Sequence, residues 1–186
     1  MLKLQRAPVT WHGEYATAAD FCRIFKGEMK RLYLLAFLLT ANHVKAEWCF
    51  LAALADADKT TRVLTEFASS WSRRAIISHA IRLMKPTSSQ ESETRDPWDE
   101  TNGEVATEVI NRVAQLSPLE RFVYVLSVLE RCRDGKCAAL LSCSRAHVVE
   151  ARVRALEQLR SCVDGYGRVW HLFQPLCVQS IDQTAI

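Results

Sequence analysis

The segment from Leu116 to Leu159 constrains the fold of this chain most, because its pattern predicts three consecutive helices with a tight turn before the last. Ser117 and Pro118 suit the start of the first helix, since serine caps helix N-termini and proline fits the first turn. The apolar residues that follow have the spacing of one buried helical face: Phe122, Val125, Leu126 and Leu129. We therefore predict a helix that packs along one side.

A second, shorter helix is predicted from Asp134, a favourable N-cap, and it ends within about two turns. Its inward residues are predicted to be Cys137, Ala138, Leu140 and Leu141. Residues 142–144 supply the turn, and Ser144 is placed to cap a third helix from Arg145 to about Leu159.

The two faces of the third helix differ in chemistry when its residues are placed at 100° intervals. The predicted inward face consists of Val148, Val149, Ala155, Leu156 and Leu159. The predicted outward face consists of Ala146, His147, Glu150, Arg154 and Gln158. Arg152 lies in the middle of the inward face, so it either extends outward to a phosphate or the helix is rotated slightly.

A short helix, a tight turn and a longer helix are typical of the helix-turn-helix, so DNA is the first candidate partner. Arg145, His147 and Glu150 suit base edges in the major groove, whereas Arg154 suits a phosphate. From Arg121 to Arg160 the chain has eight basic residues and four acidic ones, a modest positive surplus. The alternative is an ordinary three-helix bundle with a solvated polar face.

This segment resembles region four of the bacterial RNA polymerase sigma factors of the extracytoplasmic-function class. The matching residues are Leu116, Pro118 to Arg121, Val125, Leu129, Glu130, Ala138, Leu140, Leu141, Ser144, Val148, Arg154, Ala155 and Leu159. The resemblance implies that the third helix reads an upstream promoter element through Arg145, Ala146, His147, Glu150, Arg152 and Arg154. Gly135-Lys136 departs from the family's usual acidic pair, and Ser142 occupies a position where glycine would adopt the left-handed turn without strain.

The chain has 186 residues of ordinary globular composition, and one stretch divides it into two halves. Residues 85–104 contain six carboxylates, two cations, two prolines and many Ser and Thr residues, which predicts a flexible acidic linker. We therefore predict a helical lobe over 17–84, a DNA-binding lobe over 105–162 and a tail over 163–186. Trp98 is the exception inside the linker, and we predict that its indole docks on a lobe.

The N-terminal lobe has helical periodicity throughout. One long helix is predicted through Phe21, Phe25, Met29, Leu32, Ala36 and Leu39. Asn42-His43 then breaks it, a second helix starts at Val44, and a third starts at about Leu64. On this third helix, Trp71 with Arg73 and Arg74 could bind single-stranded DNA, because bases stack on aromatic rings while guanidinium groups bind phosphates. The alternative is that Trp71 is a core residue and the arginines form a solvated face.

This lobe is also similar to region two of the same family. The similarity rests on Arg31, Leu32, Tyr33, Ala36, Ala46, Glu47, Trp71 and Arg74. It implies that Glu47, Trp48 and Leu51 contact core RNA polymerase, and that the Trp71 helix holds the melted promoter. Trp48 and Leu51 replace the family's usual Asp and Gln, and an exposed apolar pair favours an interface. Its partner could be polymerase, a second copy, or an inhibitory anti-sigma protein.

Other chemistries find little support in the sequence. The six glycines form neither GxGxxG nor GxxxxGK, so no phosphate-binding loop is predicted. Cys132, Cys137, Cys143 and His147 match no zinc-site spacing, and no cysteine nucleophile is paired with a base. The longest apolar run, from Leu32 to Ala41, is too short to span a membrane. We therefore predict no enzyme activity, metal, cofactor or membrane association.

The sequence thus predicts an all-α, two-lobed protein of the cytoplasm, since it has seven cysteines without CxxC spacing and no signal-peptide pattern at its start. The predicted function, by resemblance, is a sigma factor that directs RNA polymerase to promoter DNA for transcription initiation. Two alternatives stay open. One is a regulatory module with the sigma fold that no longer engages polymerase. The other is a dimeric helix-turn-helix regulator.

Overall fold

The computed structural model describes residues 14–60, 62–86, 95–98 and 104–160, with side chains from 107 onward in the last range. The described part of the chain is all-α, as predicted, and one isolated bridge between Tyr15 and Leu64 is its only β pairing. Its helices are α1 Ala18–Gly27, α2 Met29–Thr40, α3 His43–Ala57, α4 Ala68–Met84, α5 Glu104–Gln115, α6 Pro118–Tyr124, α7 Asp134–Leu140 and α8 Arg145–Leu159. A 3₁₀ turn, Thr65–Phe67, precedes α4, and a π-helical turn, Val125–Leu129, follows α6.

Helices α1, α3 and α4 pack around α2, whose buried residues include Leu32, Leu35 and Leu39. Small residues on α3 and α4 let the three helices approach closely, and Ala46, Ala53 and Ala80 among them are fully buried. The break between α2 and α3 lies where the sequence predicted it. Ala41 adopts a left-handed conformation there, and the side chain of Asn42 accepts a hydrogen bond from Lys45 N.

The long first helix predicted from Phe21 to Leu39 is wrong, because the structure divides it into α1 and α2 at Glu28. Glycine is a poor helix former, so Gly27 is a favourable place for the break. Glu28 has φ −109° and ψ 15°, outside helical geometry. Because the helix is interrupted there, the residues of α2 do not continue the helical face of α1. Met29 is therefore exposed, although its spacing from Phe25 predicted burial.

The helix boundaries predicted in the C-terminal half agree closely with the structure. Ser117 and Glu120 form a reciprocal capping box at the start of α6, with Pro118 in the first turn. The N-cap of α7 is Arg133 rather than Asp134, which is instead its first residue. Ser144 caps α8, where its side chain accepts a hydrogen bond from His147 N.

The two halves are joined by a buried guanidinium. Arg121, on α6, donates from Nε to the carbonyl oxygen of Leu39 at 3.1 Å, and from Nη1 to those of Ala114 and Leu116 at 3.2 Å each. Leu39 belongs to the last turn of α2, Ala114 belongs to the last turn of α5, and Leu116 directly follows α5. A cation at the carboxyl end of a helix meets carbonyls that have no partner within the helix, and it interacts favourably with the helix dipole.

The described part of the predicted linker contacts both halves, and the predicted docking of Trp98 is confirmed. Trp98 is 6% exposed, and its ring lies 4.7 Å from that of Phe37 and 5.7 Å from that of His43. Its backbone N donates to Asn111 Oδ1 on α5 at 2.7 Å. Asp96 accepts from His43 N at 2.9 Å, so the segment 95–98 is held against both halves, although Pro97 is exposed.

Residues 161–186, which include the end of the predicted DNA-binding lobe and the whole predicted tail, lie outside the described residues. Within the described ranges, none of the helices has both the length and the apolar character needed to span a membrane.

We expect Arg121→Ala to lower the free energy of unfolding by at least about 3 kcal/mol, because three buried carbonyls lose a charged donor. Arg121→Lys should recover only part of this loss, since an ammonium group cannot reproduce the planar set of donors. Urea denaturation followed by circular dichroism measures both changes. Arg31→Ala, which removes an exposed arginine from α2, is the matched control and should change stability by less than about 0.5 kcal/mol. A similar small loss for Arg121→Ala would contradict this role.

Candidate functional site

The turn between α7 and α8 has the conformation that the sequence predicted. Ser142 has φ 51°, which costs a non-glycine residue about 1 kcal/mol. The backbone N of Cys143 donates to the carbonyl of Ala138 at 3.0 Å, closing the end of α7. This turn leaves Arg145, Ala146 and His147 exposed in the first turn of α8.

The guanidinium of Arg145 lies against the start of α7, above Gly135. A Cβ at Gly135 would be 2.8 Å from Nη2 of Arg145, so a larger residue there would displace the end of the Arg145 side chain. The two helices form a shallow open groove here, lined by Arg133, Asp134, Gly135, Lys136, Arg145 and Val149. Three of these six residues are cations, so the groove is a candidate surface for a phosphate backbone.

Arg152 faces α7 rather than solvent. Its Nη2 donates to Asp134 Oδ2 at 3.2 Å, and its Nη1 contacts the other carboxylate oxygen of Asp134. The hydrogen bonds from Arg152 lower the pKa of Asp134 below its usual value. Of the two possibilities that the sequence left open for Arg152, this placement agrees with a rotated helix.

Arg154 is half-exposed and bridges two carboxylates. Its Nε donates to Glu120 Oε1 at 3.0 Å, and its Nη1 donates to Glu150 Oε1 at 2.8 Å. Glu120 is buried and also accepts from Gln158 at 3.2 Å. Arg154 therefore joins α8 to α6, and pairs with Glu150, the acidic residue of the predicted DNA face. The sequence singled out Glu120 only as part of the motif Pro118 to Arg121.

The predicted inward face of α8 is wrong at two positions. Val149 and Leu156 are exposed, whereas Ala151 is fully buried. Alanine at 151 and 155 lets α8 pack closely on its neighbours, and this rotation brings Arg152 to Asp134. Val149, Val153 and Leu156 consequently form an exposed apolar strip on α8, at the spacing of i, i+4 and i+7.

The residues predicted to contact polymerase lie together on the exposed face of α3. Trp48 is 51% exposed and Leu51 is 54% exposed, and Glu47 is exposed beside them. Val44, predicted only as the start of this helix, extends the patch by one helical turn and is 74% exposed. The ring of Trp48 packs edge-on against His79 of α4, with centroids 5.7 Å apart. The patch is therefore apolar, and its central residue, Trp48, is positioned by a defined contact.

The residues predicted to bind single-stranded DNA do not form one open surface in this arrangement. Trp71 is half-buried and packs edge-on against Phe21, with centroids 5.0 Å apart. Arg73 donates from Nη2 to Glu130 Oε2 at 2.5 Å, an ion pair that joins α4 to the C-terminal half. Arg74 is exposed.

Glu130 could not be found from the sequence as a partner of Arg73, because the two are 57 residues apart and no local pattern connects them. Its side chain is only 6% exposed, and burial raises the pKa of its carboxyl group, an effect that Arg73 opposes. Glu130 Oε1 and Arg73 Nε are buried without a hydrogen-bond partner in the described structure. The pair is therefore costly to bury, and each charge depends on the other.

Within the described residues, no group of three or more His, Cys, Asp and Glu side chains is arranged to hold a metal ion. This applies to Cys132, Cys137, Cys143 and His147, the set considered from the sequence.

Comparison with protein-family models, with curated proteins and with solved structures gave no match to this chain.

We expect Arg73→Met to lower the free energy of unfolding by about 3–5 kcal/mol at pH 7, because Glu130 is left charged and buried without its partner. The double variant Arg73→Met/Glu130→Met should be close to the wild type in stability, since well-packed apolar residues often replace a buried ion pair without loss. Urea denaturation of the wild type, both single variants and the double variant measures the coupling between the two residues.

The same variants give a pH dependence of known sign. Because the folded-state pKa of Glu130 lies above its ordinary value of 4.5, the folded protein keeps a proton that the unfolded chain releases between the two values. Stability therefore falls as pH rises through that window, and the fall should be larger in Arg73→Met. A destabilisation of Arg73→Met that does not change between pH 5 and pH 8 would contradict this account.

Proposed function

We propose that this chain is a sigma-factor-like DNA-binding protein that directs RNA polymerase to promoters. The observation that carries the proposal is the arrangement of α6, α7 and α8, in which a tight turn at Ser142 presents the capped N-terminus of α8 to solvent. Helix-turn-helix proteins use the exposed first residues of their second helix to contact base edges, so this exposed N-terminus supports the proposal.

In the proposed complex, the N-terminal turn of α8 enters the major groove. Arg145 and His147 supply hydrogen-bonding groups for base edges, and the small side chain of Ala146 lets the helix approach the bases. Arg133 and Lys136, at the start of α7, line the adjacent groove and are placed for phosphates. Glu150 is paired with Arg154, which reduces its repulsion of the DNA backbone.

The patch on α3 supports the polymerase part of the proposal. Val44, Trp48 and Leu51 are exposed along one helical face, and tryptophan is among the residues that contribute most to protein interfaces. Glu47 lies beside this patch and supplies a charge at its rim. Core RNA polymerase is the proposed partner of this surface.

Binding of single-stranded DNA by the Trp71 helix requires the two halves to separate, because Arg73 is paired with Glu130. Separation would also have to release residues 95–98, which contact both halves. Separation would break both the Arg73–Glu130 pair and the contacts of Arg121 with Leu39. We infer that the docked arrangement is that of the protein before it engages promoter DNA.

A second candidate function is a regulatory module with the sigma fold that binds a protein instead of polymerase. The exposed strip formed by Val149, Val153 and Leu156 favours it, because apolar side chains contribute little to recognition of a phosphate backbone. The buried contacts between the two halves favour it as well. Polymerase binding distinguishes the two functions.

We expect Gly135→Ala to weaken binding to duplex DNA by about 1 kcal/mol, because the added methyl group displaces the guanidinium of Arg145. Stability should not fall, since alanine is the better helix former and only the end of a flexible side chain has to move. Fluorescence anisotropy with a duplex obtained by in vitro selection measures the affinity.

Gly27→Ala is the matched control, because nothing lies within 4 Å of a Cβ at that position. Arg145→Ala should weaken binding by roughly 1–3 kcal/mol, and adding Gly135→Ala to it should cause little further loss. Unchanged affinity of Gly135→Ala, together with weaker binding by Arg145→Ala, would show that Gly135 does not position Arg145.

We expect the purified chain to capture bacterial core RNA polymerase in a pull-down, and we expect Trp48→Ala/Leu51→Ala to abolish that capture while DNA affinity is retained. The matched control is Met29→Ala/Phe67→Ala, which removes two similarly exposed apolar side chains elsewhere on the N-terminal half. Failure of the wild type to capture polymerase, with DNA binding intact, would favour the regulatory module. Equal loss in both double variants would remove α3 as the specific surface.

A further inference from the structure

One face of α8 carries an exposed apolar strip, formed by Val149, Val153 and Leu156. These side chains are 41%, 48% and 45% exposed. At the spacing i, i+4 and i+7 they form one line about 10 Å long on the helix surface. The buried residues of α8 lie on its other side, against α6 and α7. The strip is therefore a surface that the described part of the fold does not use.

The size of the strip favours an occupant from the same chain. Stable interfaces between separate proteins bury about 800 Å² on each partner, and three half-exposed side chains offer far less. A tethered segment needs less surface, because its effective concentration near α8 reaches the millimolar range. The chain continues directly from α8 into residues 161–186, which lie outside the described residues.

The sequence after α8 contains an apolar segment that suits the strip. Residues 169–178, the apolar tail segment, read VWHLFQPLCV, and seven of these ten residues are hydrophobic. Trp170 and Phe173 are its largest side chains. Contiguous apolar side chains are rarely left exposed on a monomeric protein unless they bind something. The tail segment and the strip therefore each require a partner.

The charges beside the strip and beside the tail segment are complementary. Glu150, which also pairs with Arg154, and Glu157 are exposed along one edge of the strip. Arg168 directly precedes the tail segment, and residues 165–178 contain no Asp or Glu. Attraction between exposed charges is weak, so it selects the orientation of docking more than its strength.

The connection between α8 and the tail segment is long enough for the chain to fold back. Val149 precedes Arg160 by 11 residues, a distance of about 16 Å along the helix axis. Residues 161–168 separate Arg160 from the tail segment, and eight extended residues span up to roughly 26 Å. This connection includes Asp164-Gly165, a dipeptide typical of turns. The tail segment can therefore reach the whole length of the strip.

We propose that the apolar tail segment, residues 169–178, folds back and docks on the strip formed by Val149, Val153 and Leu156 of the same molecule. This inference goes beyond the proposed function and does not depend on it. Val149 also lines the cationic groove between α7 and α8, so the docked segment lies at the edge of that groove. The tail would thus cover part of the surface that we propose for DNA, beside Arg145. Docking itself is measured without DNA.

Photo-crosslinking tests this docking in the full chain. The photoreactive amino acid p-benzoylphenylalanine replaces Val149, the dilute purified protein is irradiated, and tryptic products are mapped by mass spectrometry. Trypsin cleaves after Arg145, Arg152 and Arg168, so residues 146–152 and 169–186 are separate peptides unless they are crosslinked. We expect a monomeric product in which these two peptides are joined.

The matched control places the same photoreactive amino acid at Phe67, an exposed aromatic residue of the N-terminal half, and it should not join peptide 169–186. Crosslinked dimers would identify a second copy as the occupant of the strip and overturn the proposal. Links from position 149 to another segment, or no link above the control, would overturn it as well.

Hydrogen exchange provides a second measurement. In the wild type, the amides of residues 169–178 should exchange at least about tenfold more slowly than those of an unstructured chain. Val153→Glu/Leu156→Glu should abolish this protection, because a carboxylate in the strip resists burial under the tail. Met29→Glu/Phe67→Glu, which changes two exposed apolar residues elsewhere, should retain it. Unprotected amides in the wild type, or protection that survives Val153→Glu/Leu156→Glu, would contradict docking on α8.

Discussion

The guanidinium of Arg121 lies between the carboxyl ends of α2 and α5, and the arrangement of the two halves depends on it. Arg121 is 2% exposed, and no apolar side chain could replace its hydrogen bonds to the carbonyls of Leu39, Ala114 and Leu116. A helix end that is buried needs such a donor, because its last carbonyls have no partner within the helix. Arg121 therefore allows two helix ends to be buried against each other, and the docking of Trp98 and the Arg73–Glu130 pair are built around the same junction.

The residue before Arg121 has a matching role within the C-terminal half. Glu120 closes the capping box of α6 with Ser117, and it also accepts hydrogen bonds from Arg154 and Gln158 of α8. Two adjacent charged residues of α6 thus bind different parts of the molecule: Arg121 binds the N-terminal half, and Glu120 binds α8. The short motif Pro118 to Arg121 therefore has a structural explanation that does not require a ligand.

The proposed function places different demands on these contacts. Recognition of duplex DNA by Arg145 and His147 is compatible with the docked arrangement, because both residues are exposed at the start of α8. Use of the Trp71 helix is not compatible with it while Glu130 holds Arg73. The free energy of the contacts between the two halves therefore determines how easily the Trp71 helix becomes available. Contacts that stabilise the docked protein oppose any activity that requires the two halves to separate.

The sequence by itself determined the helical class, most helix boundaries in the C-terminal half, and the caps at Ser117 and Ser144. These features depend on residues within a few positions of one another, so periodicity and capping chemistry predict them. It also predicted correctly that Trp98 docks on a lobe and that the exposed pair Trp48 and Leu51 lies on one face. The break at Glu28 was missed because one continuous apolar spacing fits both a single helix and two shorter ones.

Only the tertiary structure decided how α8 is rotated, which partner each arginine has, and how the halves meet. Val149 and Leu156 were predicted to be buried because apolar side chains usually are, yet Ala151 and Ala155 are fully buried and those larger residues face outward. Arg73, Arg152 and Arg154 each had a predicted role at DNA, and each is paired with a carboxylate elsewhere on the chain. Charged side chains can pair with any partner that folding brings near. Their partners depend on contacts between distant segments, which local sequence does not specify.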